Sequence, residues 1–132
     1  MKQELAKIAI VVKDYDEAIN FYVEKLNFEL IEDTTMTPEK RWVVIAPPGS
    51  TACKILLAKA KNDTELAAVG NQTGGRVFLF LHTDNLDRDY DSLTARGIKI
   101  ARKPITESWG KVLVFEDLYG NLWDLIEPPK LS

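Results

Sequence analysis

KIAIVVKD at residues 7–14 and VFLFLHTD at residues 77–84 decide the fold, because the second run repeats the first. Each is apolar and rich in β-branched or aromatic residues, the pattern of a buried strand, and each ends in Asp. A second acid comes three residues after each Asp: Glu17 after Asp14, and Asp87 after Asp84. An Asp at a helix N-cap accepts backbone N–H bonds, and an acid in the first turn complements the helix dipole. Both positions therefore predict helix starts. Ile19, Tyr22, Val23 and Leu26 then fall at helical spacing in the first half, and Leu86, Tyr90 and Leu93 in the second. Asn27 and Gly97, two residue types that tolerate positive φ, stop the helices.

Three further strands are predicted after each helix. In the first half they are 28–31, RWVVIA at 41–46 and ACKILLA at 52–58, the last two joined through Pro47-Pro48-Gly49-Ser50. In the second half they are 98–100, KVLVFE at 111–116 and NLWDLIE at 121–127, the last two joined through Asp117-Leu118-Tyr119-Gly120. Strand–helix–strand–strand–strand thus occurs twice at an offset of about 70 residues. The fold class is α+β: two tandem βαβββ modules, at about 5–58 and 77–128, in a single domain spanning 1–132. Residues 59–76 read as the linker, with a helical turn at 64–69 and the flexible pair Gly74-Gly75. No helix comes after Gly74-Gly75-Arg76, so this stretch does not fit a phosphate-binding loop.

Composition narrows the function classes. The 132 residues suit one domain, and 45% hydrophobic with 28% charged residues is ordinary for a globular protein. The net charge of -3, with acids and bases interleaved, gives no basic stripe for nucleic acid. No window approaches the roughly 18 apolar residues of a membrane span, and the polar start Met1-Lys2-Gln3-Glu4 does not read as a signal peptide. The single cysteine, Cys53, cannot form an internal disulfide and should pack as a small buried hydrophobe. The expected location is the cytoplasm.

KIAIVVKDYDEAINFYVEKLNFEL (7–30) resembles the opening of a module of the vicinal-oxygen-chelate superfamily, the glyoxalase/bleomycin resistance/dioxygenase group. FEDLYGNLWDLIEP (115–128) resembles the closing signature of its second module. The resemblance covers about residues 5–128. It implies that the strands of each module curve into a half-open mixed sheet, and that the two modules enclose a pocket. In the superfamily that pocket commonly holds a divalent metal bound by His or Glu from four strands. The members isomerise, epimerise, cleave rings, transfer thiols or sequester drugs.

The four matching positions are Lys7, Lys54, Phe78 and Asp124. Only Asp124 keeps a usual ligand, so no metal and no cofactor are expected. Strand alternation places Lys7, Ala9 and Val11, Lys54 and Leu56, Phe78, Phe80 and His82, and Leu122, Asp124 and Ile126 toward the pocket. That set is a mostly apolar concavity with a few charges, as small-molecule sites are. Lys7 and Lys54 either pair internally with Asp124 or seat a ligand's carboxylate or phosphate. His82, the one histidine, either closes its strand or acts as a general base. Trp109, in the loop Glu107-Ser108-Trp109-Gly110, either packs or stacks on an aromatic ligand. Trp123 should pack between sheet and helix.

The ligand-binding set is thus Lys7, Lys54, Phe78, Phe80, Trp109 and Asp124, for an anionic or aromatic small molecule. Two functions are compatible with it. One is a metal-independent binding protein of the bleomycin-resistance kind. The other is a metal-independent lyase- or isomerase-type enzyme that moves protons with Lys7, His82, Glu116 or Asp124. A homodimer is compatible with either.

Overall fold

The computed structural model describes residues 1–130. Its strands are β1 (Lys7–Val12), β2 (Glu29–Thr35), β3 (Arg41–Ala46), β4 (Lys54–Lys59), β5 (Val77–His82), β6 (Ile100–Glu107), β7 (Gly110–Glu116) and β8 (Leu122–Glu127). Its α-helices are α1 (Tyr15–Ile19), α2 (Asp63–Ala68) and α3 (Leu86–Ala95). They fall into two compact units, the first ending at Val69 and the second beginning at Gly70. Each unit is one four-stranded mixed sheet, in the order β1-β4-β3-β2 and β5-β8-β7-β6, with α1 packed on the first and α3 on the second. The βαβββ repeat is therefore present twice. The predicted linker is divided: β4 runs on to Lys59, and α2 lies against β1 within the first unit.

In the first unit β1 pairs parallel to β4, Lys7 with Lys54 and Ala9 with Leu56, while β3 pairs antiparallel to β4 and β2. Ile10, Val12, Val43, Ile45 and Leu57 are fully buried on the helix side. Asp14 caps α1 as predicted, its Oδ2 accepting from the Glu17 N–H at 2.9 Å. The helix differs from its sequence reading after Ile19, where Asn20–Lys25 winds as a π-helix and the Leu26 N–H donates to Phe21 O at 3.2 Å. A π turn takes one extra residue and rotates the side chains beyond it around the helix axis. The buried face becomes Tyr15, Ala18, Phe21 and Tyr22, and the predicted Ile19, Val23 and Leu26 are only half-buried. Asn27 ends the turn at φ +60°.

The second unit repeats the plan with its own details. Leu86 and Leu93 of α3 are buried and Tyr90 half-buried, as the spacing predicts. The cap is Asn85, one residue later than the predicted Asp84; its side chain accepts from the Arg88 N–H at 3.0 Å. Asp84 pairs instead with the Arg88 guanidinium at 2.7 Å. The sequence predicted a strand at 98–100 and then a loop, whereas β6 runs through to Glu107. Glu107 pairs with Gly110, so Ser108-Trp109 forms the tip of a two-residue hairpin. Trp123 is 2% exposed and stacks on Phe115 with ring centroids 5.7 Å apart. Cys53 is half-buried rather than buried, and precedes β4 instead of lying in it.

Candidate functional site

Each sheet has a helix-free face, and strand pairing assigns the candidate residues to it. In the first unit Lys7 and Lys54 are direct neighbours across the parallel β1–β4 ladder, which continues one step further as the Lys54 N–H donates to Ala6 O at 3.0 Å. The next positions on that face are Ala9 beside Leu56 and Val11 beside Ala58, with Val44 across β3 from Leu56. The expected set Lys7, Ala9, Val11, Lys54 and Leu56 therefore shares one face. An apolar strip ends there in two ammonium groups.

In the second unit Phe80 pairs with Asp124, Asp124 with Val114, and Val114 with Arg102. The adjoining row runs His82, Ile126, Val112 and Ile105. Phe80 is 66% exposed, an unusual position for a large ring in the middle of a strand. Phe78 is the extra residue of an irregularity between Val77 and Leu79, so the neighbour of Asp124 in β5 is Phe80. Burial pushes the Asp124 carboxyl up from its ordinary range, and the Arg102 guanidinium opposes that shift. Sequence reasoning missed Arg102, because 101–110 read as a loop. The alternation that would have found it is broken by two irregularities in β6.

Glu116 shares this face through its pairing with Leu122, but it is engaged. Lys99 Nζ lies 3.0 Å from its Oε2, and Glu116 also borders a shallow pocket of about 200 Å³ with Thr73, Arg76 and Asn121. Trp109 is 51% exposed at its hairpin tip, and His82 is exposed at the end of β5.

The donor chemistry does not fit a divalent ion. Lys7 and Lys54 carry ammonium groups, Phe78 has no lone pair, and Asp124 alone offers a carboxylate. Among the described residues no three of His, Cys, Asp and Glu gather as a metal-holding group.

The closing turn performs a different task. Asp117, 5% exposed, accepts from the Tyr119 N–H (3.0 Å), the Asn121 N–H (2.9 Å), Asn121 Nδ2 (2.9 Å) and Trp123 Nε1 (3.3 Å). One buried carboxylate thus fixes the turn, and with it the start of β8 and the position of Asp124.

Known proteins share this architecture. A family model described as the Glyoxalase/Bleomycin resistance protein/Dioxygenase superfamily matches residues 4–125. An uncharacterized protein of Shewanella frigidimarina (strain NCIMB 400) is 56% identical over 128 residues, which is 96% of this chain and 95% of that one. The crystal structure of UcmS2 superimposes with a TM-score of 0.84 at 28% identity, covering 96% of this chain and 99% of that one. TnmS3, an antibiotic binding protein from Streptomyces sp. CB03234, superimposes with a TM-score of 0.77 at 28% identity, covering 97% and 98%.

Proposed function

This chain belongs to the glyoxalase/bleomycin resistance protein/dioxygenase superfamily, and on that premise we propose that it binds a small molecule without a metal ion, on the helix-free faces of its sheets. What supports the reading is the sequence match: at the four positions where the resemblance implies metal ligands this chain has Lys7, Lys54, Phe78 and Asp124, and only Asp124 is a usual ligand. The likeness to an antibiotic binding protein supports it. The residues assigned to ligand contact are Lys7 and Lys54 in the first unit, and Phe78, Phe80 and Asp124 in the second, with Trp109 at its hairpin tip. The reading includes a cytoplasmic homodimer, which sedimentation and cell fractionation would check.

Metal analysis and a thermal-shift screen test the proposal together. Protein purified without a metal-affinity tag should hold less than about one ion per ten chains. Aromatic drugs and small carboxylates should raise its melting temperature with no metal added. Near-stoichiometric zinc, nickel, manganese or iron that disappears in Asp124→Ala would overturn the reading.

One observation favours a second reading, a metal-independent lyase or isomerase. Asp124, raised by burial and set beside Phe80 and near Arg102, has the environment that tunes a carboxyl for proton transfer. Lys7, His82 and Glu116 are its other candidate groups. Turnover that vanishes in Asp124→Asn would establish this reading; a ligand recovered chemically unchanged after long incubation would favour binding.

A further inference from the structure

Resting on the small-molecule reading above, the geometry points to the ligand's chemical class: an apolar body bearing one oxyanion, with the oxyanion held between Lys7 and Lys54. Lys7 and Lys54 are in-register partners on adjacent parallel strands, about 4.8 Å apart along the hydrogen-bonding direction, and both side chains leave the same face. Two like charges so placed repel, and an anion seated between them relieves that repulsion.

The unit does not supply one. Its ion pairs run from Arg41 to Asp16 and Asp33, and neither lysine joins them. The two acids of β2 paired on this side, Glu29 and Glu32, lie two strands beyond β4, roughly 10 Å away across the sheet. Each has a nearer partner: Glu29 accepts from the Gly49 N–H at 3.4 Å, and Glu32 from Thr34 Oγ1 at 3.2 Å. A carboxylate, phosphate or sulfonate accepts from both ammoniums at once, a charge-assisted pair of hydrogen bonds that a neutral ligand cannot make. Next to the two lysines the same face offers Ala9, Leu56, Val11 and Ala58, so the remainder of the ligand must be apolar.

Benzoate and benzyl alcohol, titrated at constant ionic strength and tracked by the amide resonances of residues 6–11 and 54–58, test this directly. The two probes share the ring and differ in charge. Benzoate should bind at least about tenfold more tightly than benzyl alcohol, and Lys7→Met or Lys54→Met should each remove most of that advantage. Retained amide dispersion verifies that the variants are folded. Equal binding of the two probes at these residues overturns the oxyanion and leaves the small-molecule reading standing. A benzoate preference that survives both substitutions, or no benzoate binding at these residues, also overturns it. The small-molecule reading itself falls only to the metal analysis and the wider ligand screen.

Discussion

The two units share a plan and differ in how they are braced. Both run strand, helix and three strands, with parallel first and last strands and the helix stopped by Asn27 or Gly97 at positive φ. In the first unit the polar brace lies at the surface. Arg41 grips Asp33 through Nε (3.1 Å) and Nη2 (2.7 Å), reaches Asp16 at 2.8 Å, and lies over the Tyr15 ring, tying β3 to β2 and α1. The residue 70 positions on, Lys111, makes only a 3.5 Å contact with Asp87. The second unit braces itself instead with Asp117, buried at the β7–β8 turn. Topology thus arises from apolar faces and backbone pairing, which the repeat keeps. Polar braces are local solutions that each unit found separately. The helix-free faces diverge in the same way, two lysines in one unit against Phe80, Asp124 and Arg102 in the other.

The largest effects should come from the two cores. Leu57→Ala, at a fully buried position, should cost about 4 kcal/mol in urea unfolding, and Leu93→Ala, slightly exposed, about 3. Hydrogen exchange separates the two units: Leu93→Ala should accelerate exchange mainly in β5, β7 and β8. Equal acceleration in β1, β3 and β4 would mean that the two units open as one.

Removing the braces comes next. Asp117→Ala removes the acceptor shared by the Tyr119 and Asn121 N–H groups, Asn121 Nδ2 and Trp123 Nε1, and should cost about 3 kcal/mol. Arg41→Met should cost only about 1 kcal/mol, since its partners face water. A larger loss for Arg41→Met than for Asp117→Ala would reverse the assignment. The Arg41 contribution also has a pH signature. Its hydrogen bond holds the Asp33 carboxyl below the usual range. That stability is complete above the unfolded carboxylate value of about 4 and is lost as pH falls through the lower folded value. The stability difference between wild type and Arg41→Met should therefore shrink in acid.

The smallest effect has the opposite sign. Burial raises the Asp124 pKa, so folding favours its neutral form, and the contribution present below about pH 4 is lost as pH rises through the folded value. Asp124→Asn should thus stabilise the protein at pH 7 by no more than about 1 kcal/mol, with the gain vanishing in acid. Destabilisation at pH 7 would show that Asp124 holds a partner it needs.

Local patterns in the sequence establish the repeat, the succession of strand, helix and three strands in each module, and most residues of the helix-free faces. Period-two alternation, an N-capping Asp and a residue suited to positive φ are local signals, and they read directly in KIAIVVKD and in the Asn27 and Gly97 stops. The same alternation put Lys7 and Lys54 among the pocket-facing residues of their strands, and Phe80 and Asp124 among those of theirs. Packing settled the rest. The π turn that buries Phe21 and leaves Ile19, Val23 and Leu26 half-buried, the irregularity at Phe78, and the broken alternation that brings Arg102 into the row of Asp124 each shift a count by one residue. That shift is settled by packing against the sheet rather than by the chain around it. The Asp117 hub and the Arg41 clamp are likewise set by tertiary placement, because a carboxylate's partners depend on which donors the fold delivers to it.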